Sequence, residues 1–158
     1  MAIPIESVSV LRIIDVLHSR KISTLSADCA RRLTDAAVTA ATEGGVPMCI
    51  AVTCTAGNLL HFLRMDGAPL LSSDIAINKA YTAAGFGMAT HMWHEFIKDD
   101  PPLLHGIVHT DRLVTFGGGY PVKEDGAVIG AIGISGGHYH QDMEVATKAL
   151  GALGLSAS

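Results

Sequence analysis

The sequence predicts an α+β layered domain around one mostly antiparallel sheet. Two strand-like runs, 48–53 and 59–65, joined by the Gly-Asn turn at 56–58 give a hairpin. A second apolar run, rich in glycine and alanine, spans 127–134. Alanine-rich stretches of helical spacing lie before, between and after these strands. The resulting order is helix, hairpin, helices, further antiparallel strands, helix. The 158 residues suit one domain and can bury a sizeable core without a disulfide or structural metal.

The lead-in 3–22 places Val8, Leu11, Ile14 and Leu17 near helical spacing. A short helix or an arm packing on a neighbour is expected over 1–23, with the main domain over 24–158. Ser26 or Asp28 is positioned to cap the first helix of that domain, which Leu33, Ala37, Val38 and Ala41 carry to the stop at Gly44-Gly45. The run 48–53 is a buried strand, Ala56-Gly57-Asn58 a turn, and 59–65 its hairpin partner. After the break at Asp66-Gly67-Ala68-Pro69, Ser72 or Ser73 is the expected cap of a helix ending at Gly85 or Gly87. A shorter helix is expected over 90–98, before Asp99-Asp100-Pro101-Pro102. From Leu103 the chain reads as extended, with a short strand at 113–116 and a bulge or close approach at 117–119. Residues 120–122 lead to a turn at 123–126, the strand 127–134 follows, and Ser135-Gly136-Gly137 opens a last helix over roughly 140–153.

Composition narrows the function. Apolar residues make up 49% of the chain and charged residues only 16%. Mean hydropathy is +0.36. So little charge predicts a surface partly covered by another subunit. The net charge of −4 and the lack of a basic run argue against nucleic acid. Cys29, Cys49 and Cys54 form neither a disulfide framework nor a CxxC motif, which suits a reducing, cytoplasmic setting. No apolar run reaches the roughly 20 residues of a membrane span, and the N-terminus lacks the basic start of a signal peptide.

Several motifs together resemble a known family. They are Pro47-Met48, Ala56-Gly57-Asn58, the stretch 64–68 (Arg-Met-Asp-Gly-Ala), the stretch 79–83 (Lys-Ala-Tyr-Thr-Ala) and Phe86-Gly87-Met88. Phe116-Gly117-Gly118-Gly119-Tyr120-Pro121, the stretch 130–137 and Gln141-Asp142 complete them. In order and spacing, over roughly residues 30–152, the set resembles the GlcG/HbpS family, which includes the C-terminal part of PduO-like proteins. The resemblance implies a profilin-like α-β-α fold and homo-oligomers from dimers to octamers. It also implies a small-molecule ligand such as haem or a corrinoid, and for some members a place in catabolic operons. The chain departs from the pattern at His138-Tyr139-His140, where relatives carry a Thr-Pro-like or Thr-Ala-like pair, and in its histidine-rich stretch 104–109.

Histidine is the main anomaly, with eight in the chain and six between 91 and 140. His105, His109, His138 and His140 are the first candidates for metal ligands, followed by His91 and His94. Helical spacing puts His91 and His94 on one face, and an extended stretch projects His138 and His140 to one side. Two such pairs meeting would give a nitrogen site for a transition metal: Zn, Fe, Ni, Cu or Co. The bland alternative is that these are scattered, solvent-facing histidines. Arg64 and Lys79 have two readings, as ion-pair partners of Asp66, Asp74 or Asp142, or as anchors for a substrate carboxylate or a haem propionate. Gly118, Gly136 and Gly137 lie on segments whose amides could cradle an anion, although tight turns are the simpler use. Gly133-Ile134-Ser135-Gly136-Gly137 satisfies the letters of a nucleophile elbow, but the order and length of an α/β-hydrolase are absent. Trp93 is expected at an interface.

Three functions follow. The first is a small-ligand-binding protein taking haem, a corrinoid or a transition metal through histidines. The second is a metal-dependent enzyme on a small organic acid, with His140, Asp142 or Tyr139 moving protons. The third is an assembly module with histidines at subunit contacts.

Overall fold

A computed structural model describes residues 20–156. The expected N-terminal arm lies mostly outside them. Helix α1 (Ala27–Glu43) starts where the Ser26 hydroxyl accepts from the Cys29 amide at 3.2 Å, and it stops at Gly44. Strand β1 (Cys49–Cys54) and strand β2 (Leu59–Arg64) form the expected hairpin. Helix α2 (Ser72–Phe86) ends at Gly87, whose left-handed φ of 64° suits glycine. Helices α3 (Met92–Ile97) and α4 (Pro101–Gly106) and a 3₁₀ turn (Ile107–His109) lead to strand β3 (Gly119–Glu124). Strand β4 (Ala127–Ser135) and helix α5 (Tyr139–Ala152) complete the order. The sheet runs β2-β1-β4-β3 with every pair antiparallel. Helices α1 and α5 cover one face and α2 the other, which makes the α-β-α layering.

Side-chain size explains which helix covers which face. Along β1 and β4 the positions Ile50, Val52, Ile132 and Ile134 point into the core with Leu33, Ala37, Val145 and Leu150. The alternate positions Cys49, Ala51 and Ala131 meet Ala76, Ala80, Ala83 and Ala84 of α2. Both surfaces there are small, so α2 lies with its backbone against the sheet. A Cβ at Gly133 would collide with the Ala76 carbonyl and sit 2.6 Å from the Ala80 nitrogen.

The turn between β3 and β4 is the two-residue hairpin Asp125-Gly126, with φ of 51° and 78°. Four expectations need correction. The chain from 103 is helical rather than extended, because Asp100 caps it by accepting from the Leu103 amide at 3.2 Å and prolines fill its first positions. No strand forms at 113–116; the Val114 amide goes to the Thr82 hydroxyl at 3.0 Å, and pairing with β4 starts only at Gly119. Neither Ser72 nor Ser73 caps α2, whose N-cap position is Leu71. Trp93 is buried within the chain, edge-on to Phe86 with ring centres 4.7 Å apart. Among the described residues no helix is long and apolar enough to cross a membrane.

Candidate functional site

A cavity of about 610 Å³ opens between α3, the loop 115–117 and the first turn of α5. Its lining is His91, His94 and Glu95 from the first wall, Thr115, Phe116 and Gly117 from the second, and Tyr139, His140 and Met143 from the third. The first wall is fixed by Thr90, which is fully buried. Its amide donates to the Gly119 carbonyl and its hydroxyl accepts from the Gly119 amide, both at 2.9 Å. That exchange ties the start of α3 to the first residue of β3. The His91 ring then lies against Tyr120, 5.5 Å between centres.

The third wall is fixed from inside the core. Lys79 donates to Asp142 at 2.6 Å and to the Ile134 carbonyl at 2.8 Å, with both side chains out of water. Burial pushes the Lys79 ammonium below and the Asp142 carboxyl above their ordinary ranges, and their contact works against both shifts. The Lys79 ammonium is 4.9 Å from the centre of the Phe116 ring, so the pair sits directly behind the cavity floor. One of the two expected readings of Lys79 therefore holds: it pairs with Asp142 and is not available to a ligand carboxylate.

Arg64 does not reach the cavity. It is exposed, and its Nε and Nη2 both donate to the Ala68 carbonyl, at 3.0 and 2.7 Å. The glycines are used for close packing. A Cβ at Gly118 would lie 2.7 Å from the Lys79 nitrogen, and one at Gly136 would lie 2.6 Å from the Pro47 carbonyl. The Gly137 amide donates to Asp142 and the His138 amide to Gln141, which leaves these amides no freedom to hold an anion. Ser135 is buried at the end of β4, paired with Cys49.

The histidines divide in a way the spacing did not indicate. His140 reaches the cavity, as do His91 and His94, which the sequence ranked lower. His138 stacks on His140, 5.0 Å between centres, and caps α5 through a 3.4 Å bond from the His140 amide to its Nδ1. His105 lies on α4 and His109 on the 3₁₀ turn, and both are exposed. Among the described residues no three His, Cys, Asp or Glu side chains gather closely enough to hold a metal ion. The expected four-histidine centre of 105, 109, 138 and 140 does not form within the chain. Phe116, Met143, Glu95 and Thr115 were missed; only the glycine run after Phe116 gave a signal in the sequence.

The cavity is aromatic and apolar on its Phe116, Tyr139 and Met143 sides. Glu95 keeps its charge, held below the usual carboxyl range by the hydrogen bond from Lys98 at 2.6 Å. Among the described residues no lysine or arginine lines it. Such a chamber can take a flat, largely apolar ligand.

The model of the family described as haem degrading protein HbpS-like matches residues 25–151. The chain is 40% identical over 134 residues to an uncharacterized 15.0 kDa protein of the dhaT-dhaS intergenic region of Citrobacter freundii, covering 84% of this chain and 94% of that one. It is 36% identical over 141 residues to the corrinoid adenosyltransferase PduO of Salmonella typhimurium, covering 87% of this chain but only 42% of PduO. A crystal structure of a PduOC–haem complex superposes with a TM-score of 0.76 at 35% identity, covering 85% of this chain and 98% of that one.

Proposed function

The chain belongs to the HbpS-like family, and from that premise we propose that it binds haem in the cavity between α3, the loop 115–117 and α5. The observation that carries the reading is the cavity itself. Three imidazoles, from His91, His94 and His140, line a cavity of about 610 Å³ together with Phe116, Tyr139 and Met143 and with the polar Thr115 and Glu95. That volume lies inside the roughly 300–1,000 Å³ range of small-molecule sites. The donor set suits iron in a macrocycle, which needs one or two protein nitrogens, better than it suits a bare ion needing three or four. Bound there, haem supplies an iron centre, while the chain's residues bind it, orient it and shield one face from water. Haemin titrated into the purified chain gives a saturable Soret change at about one haem per subunit, and cobalamin titrated in parallel gives none. A linear, unsaturable haemin response overturns the reading.

The same surface supports a homo-oligomer. Phe86 and Phe96 are 59% and 67% exposed, and Met92 lies exposed on the same helix as Phe96. A chain with few charges and such a face is completed by a second copy.

A further inference from the structure

We propose that the Met143 side chain sets the depth of the haem cavity, and that residue 117 is glycine so that this thioether stays seated against the loop and out of the chamber; this rests on the haem-binding reading above. The lining residues His94, Glu95, Phe116, Tyr139 and His140 are exposed. Gly117 is buried and Met143 half-buried, so these two belong to the inner end of the cavity.

Glycine at 117 answers a need for space. Its φ lies outside the left-handed region, unlike the φ of 118° at Gly118, so a side chain there meets no left-handed penalty. A Cβ at 117 would instead overlap the Met143 sulfur, lie 2.7 Å from the Met143 Cγ and lie 3.3 Å from the His91 Cβ. Both of those side chains line the cavity. Among the described residues no other glycine has its missing Cβ bounded by side chains of this cavity. At Gly118, Gly119, Gly133 and Gly136 the added atom would meet main chain or core groups.

Met143 has one direction in which to yield. On its inner side it packs against the buried core that includes Val145 and Leu150. The adjoining Gly118 is backed by Lys79 and Asp142, themselves fixed to one another at 2.6 Å. A close-packed interior does not open for an extra methyl group. The methionine chain is unbranched and turns about three torsions, so pressure from residue 117 drives its end into the chamber. Bare at 117, the loop lets the same thioether lie back as a soft, apolar inner wall for a macrocycle.

The test is haemin titration of the wild type, Gly117→Ala, Met143→Ala and the double variant. Gly117→Ala is expected to weaken haemin binding by at least about tenfold. The double variant lacks the displaced thioether and is expected to bind haemin to within about threefold of Met143→Ala. A damaged loop or a shifted His91 would give no such rescue. A second readout leaves residue 117 untouched: the chain labelled with methyl-¹³C methionine, its Met143 signal assigned through its loss in Met143→Ala. On adding haemin, that methyl is expected to shift or broaden more than those of Met88 and Met92, which line the neighbouring cavity. If Gly117→Ala does not fold, the methyl signals decide alone. Wild-type affinity in Gly117→Ala, a double variant that is not rescued, or a Met143 methyl that stays still while Met88 or Met92 moves overturns the assignment and leaves haem binding intact. A wild type that never saturates with haemin overturns the haem-binding reading, and this assignment with it.

Discussion

At the scale of single residues, the buried Lys79–Asp142 pair shows how position decides a role. A lysine and an aspartate completely out of water must satisfy one another, because an unpaired buried charge is too costly to keep. Here the ammonium reaches Asp142 and the Ile134 carbonyl, and Asp142 takes the Gly137 amide with its other oxygen. Lys79→Met therefore leaves a lone carboxylate and is expected to cost about 3–5 kcal/mol in urea unfolding. Lys79→Met combined with Asp142→Leu removes both charges and is expected to be more stable than Lys79→Met alone. A double-variant loss equal to the sum of the Lys79→Met and Asp142→Leu losses would show that the two side chains are not coupled. The sequence offered this pairing among three aspartates. Selecting Asp142 needed the fold, since 63 residues separate the partners.

At the scale of elements, the alternation of large and small residues on β1 and β4 sets how closely α2 approaches. Gly133→Ala forces a methyl against the backbone of Ala76 and Ala80, and main chain cannot yield as a side chain does. A loss of about 1–3 kcal/mol or more is expected. Gly151→Ala, in α5 with open space around it, is the matched control and is expected to gain about 0.5–1 kcal/mol. Thermal unfolding of the two variants gives opposite shifts if α2 is seated as described. Element legibility followed the strength of local signals. The hairpins, α1 and the end of α2 were readable because glycines and Ser26 mark their ends. Helix α4 was missed although Asp100 followed by Pro101-Pro102 is a helix-start signal, because the prolines read as a break. Residues 113–116 look like a strand but lie outside the sheet, since the Thr82 hydroxyl takes the Val114 amide.

At the scale of the whole molecule, the exposed Phe86, Met92 and Phe96 predict self-association. Sedimentation at tens of micromolar is expected to give a particle of at least two 16.5 kDa chains, and Phe96→Glu is expected to lower that mass. A wild type sedimenting as a single chain from pH 5 to 8 would refute it. The sequence by itself determined the layering, the antiparallel sheet and the family resemblance, because periodicity and turn chemistry are written locally along the chain. It also marked histidine as the side chain to follow. Only the tertiary structure decided which histidines meet. His91, His94 and His140 become neighbours because Thr90 is clamped to Gly119 and Asp142 to Lys79, which brings the starts of α3 and α5 to one rim of the sheet. His105 and His109 are left out because a capped helix, not an extended strand, carries them elsewhere. Spacing fixes which face of its own element a side chain occupies; it carries no information on the long-range contacts that place one element against another.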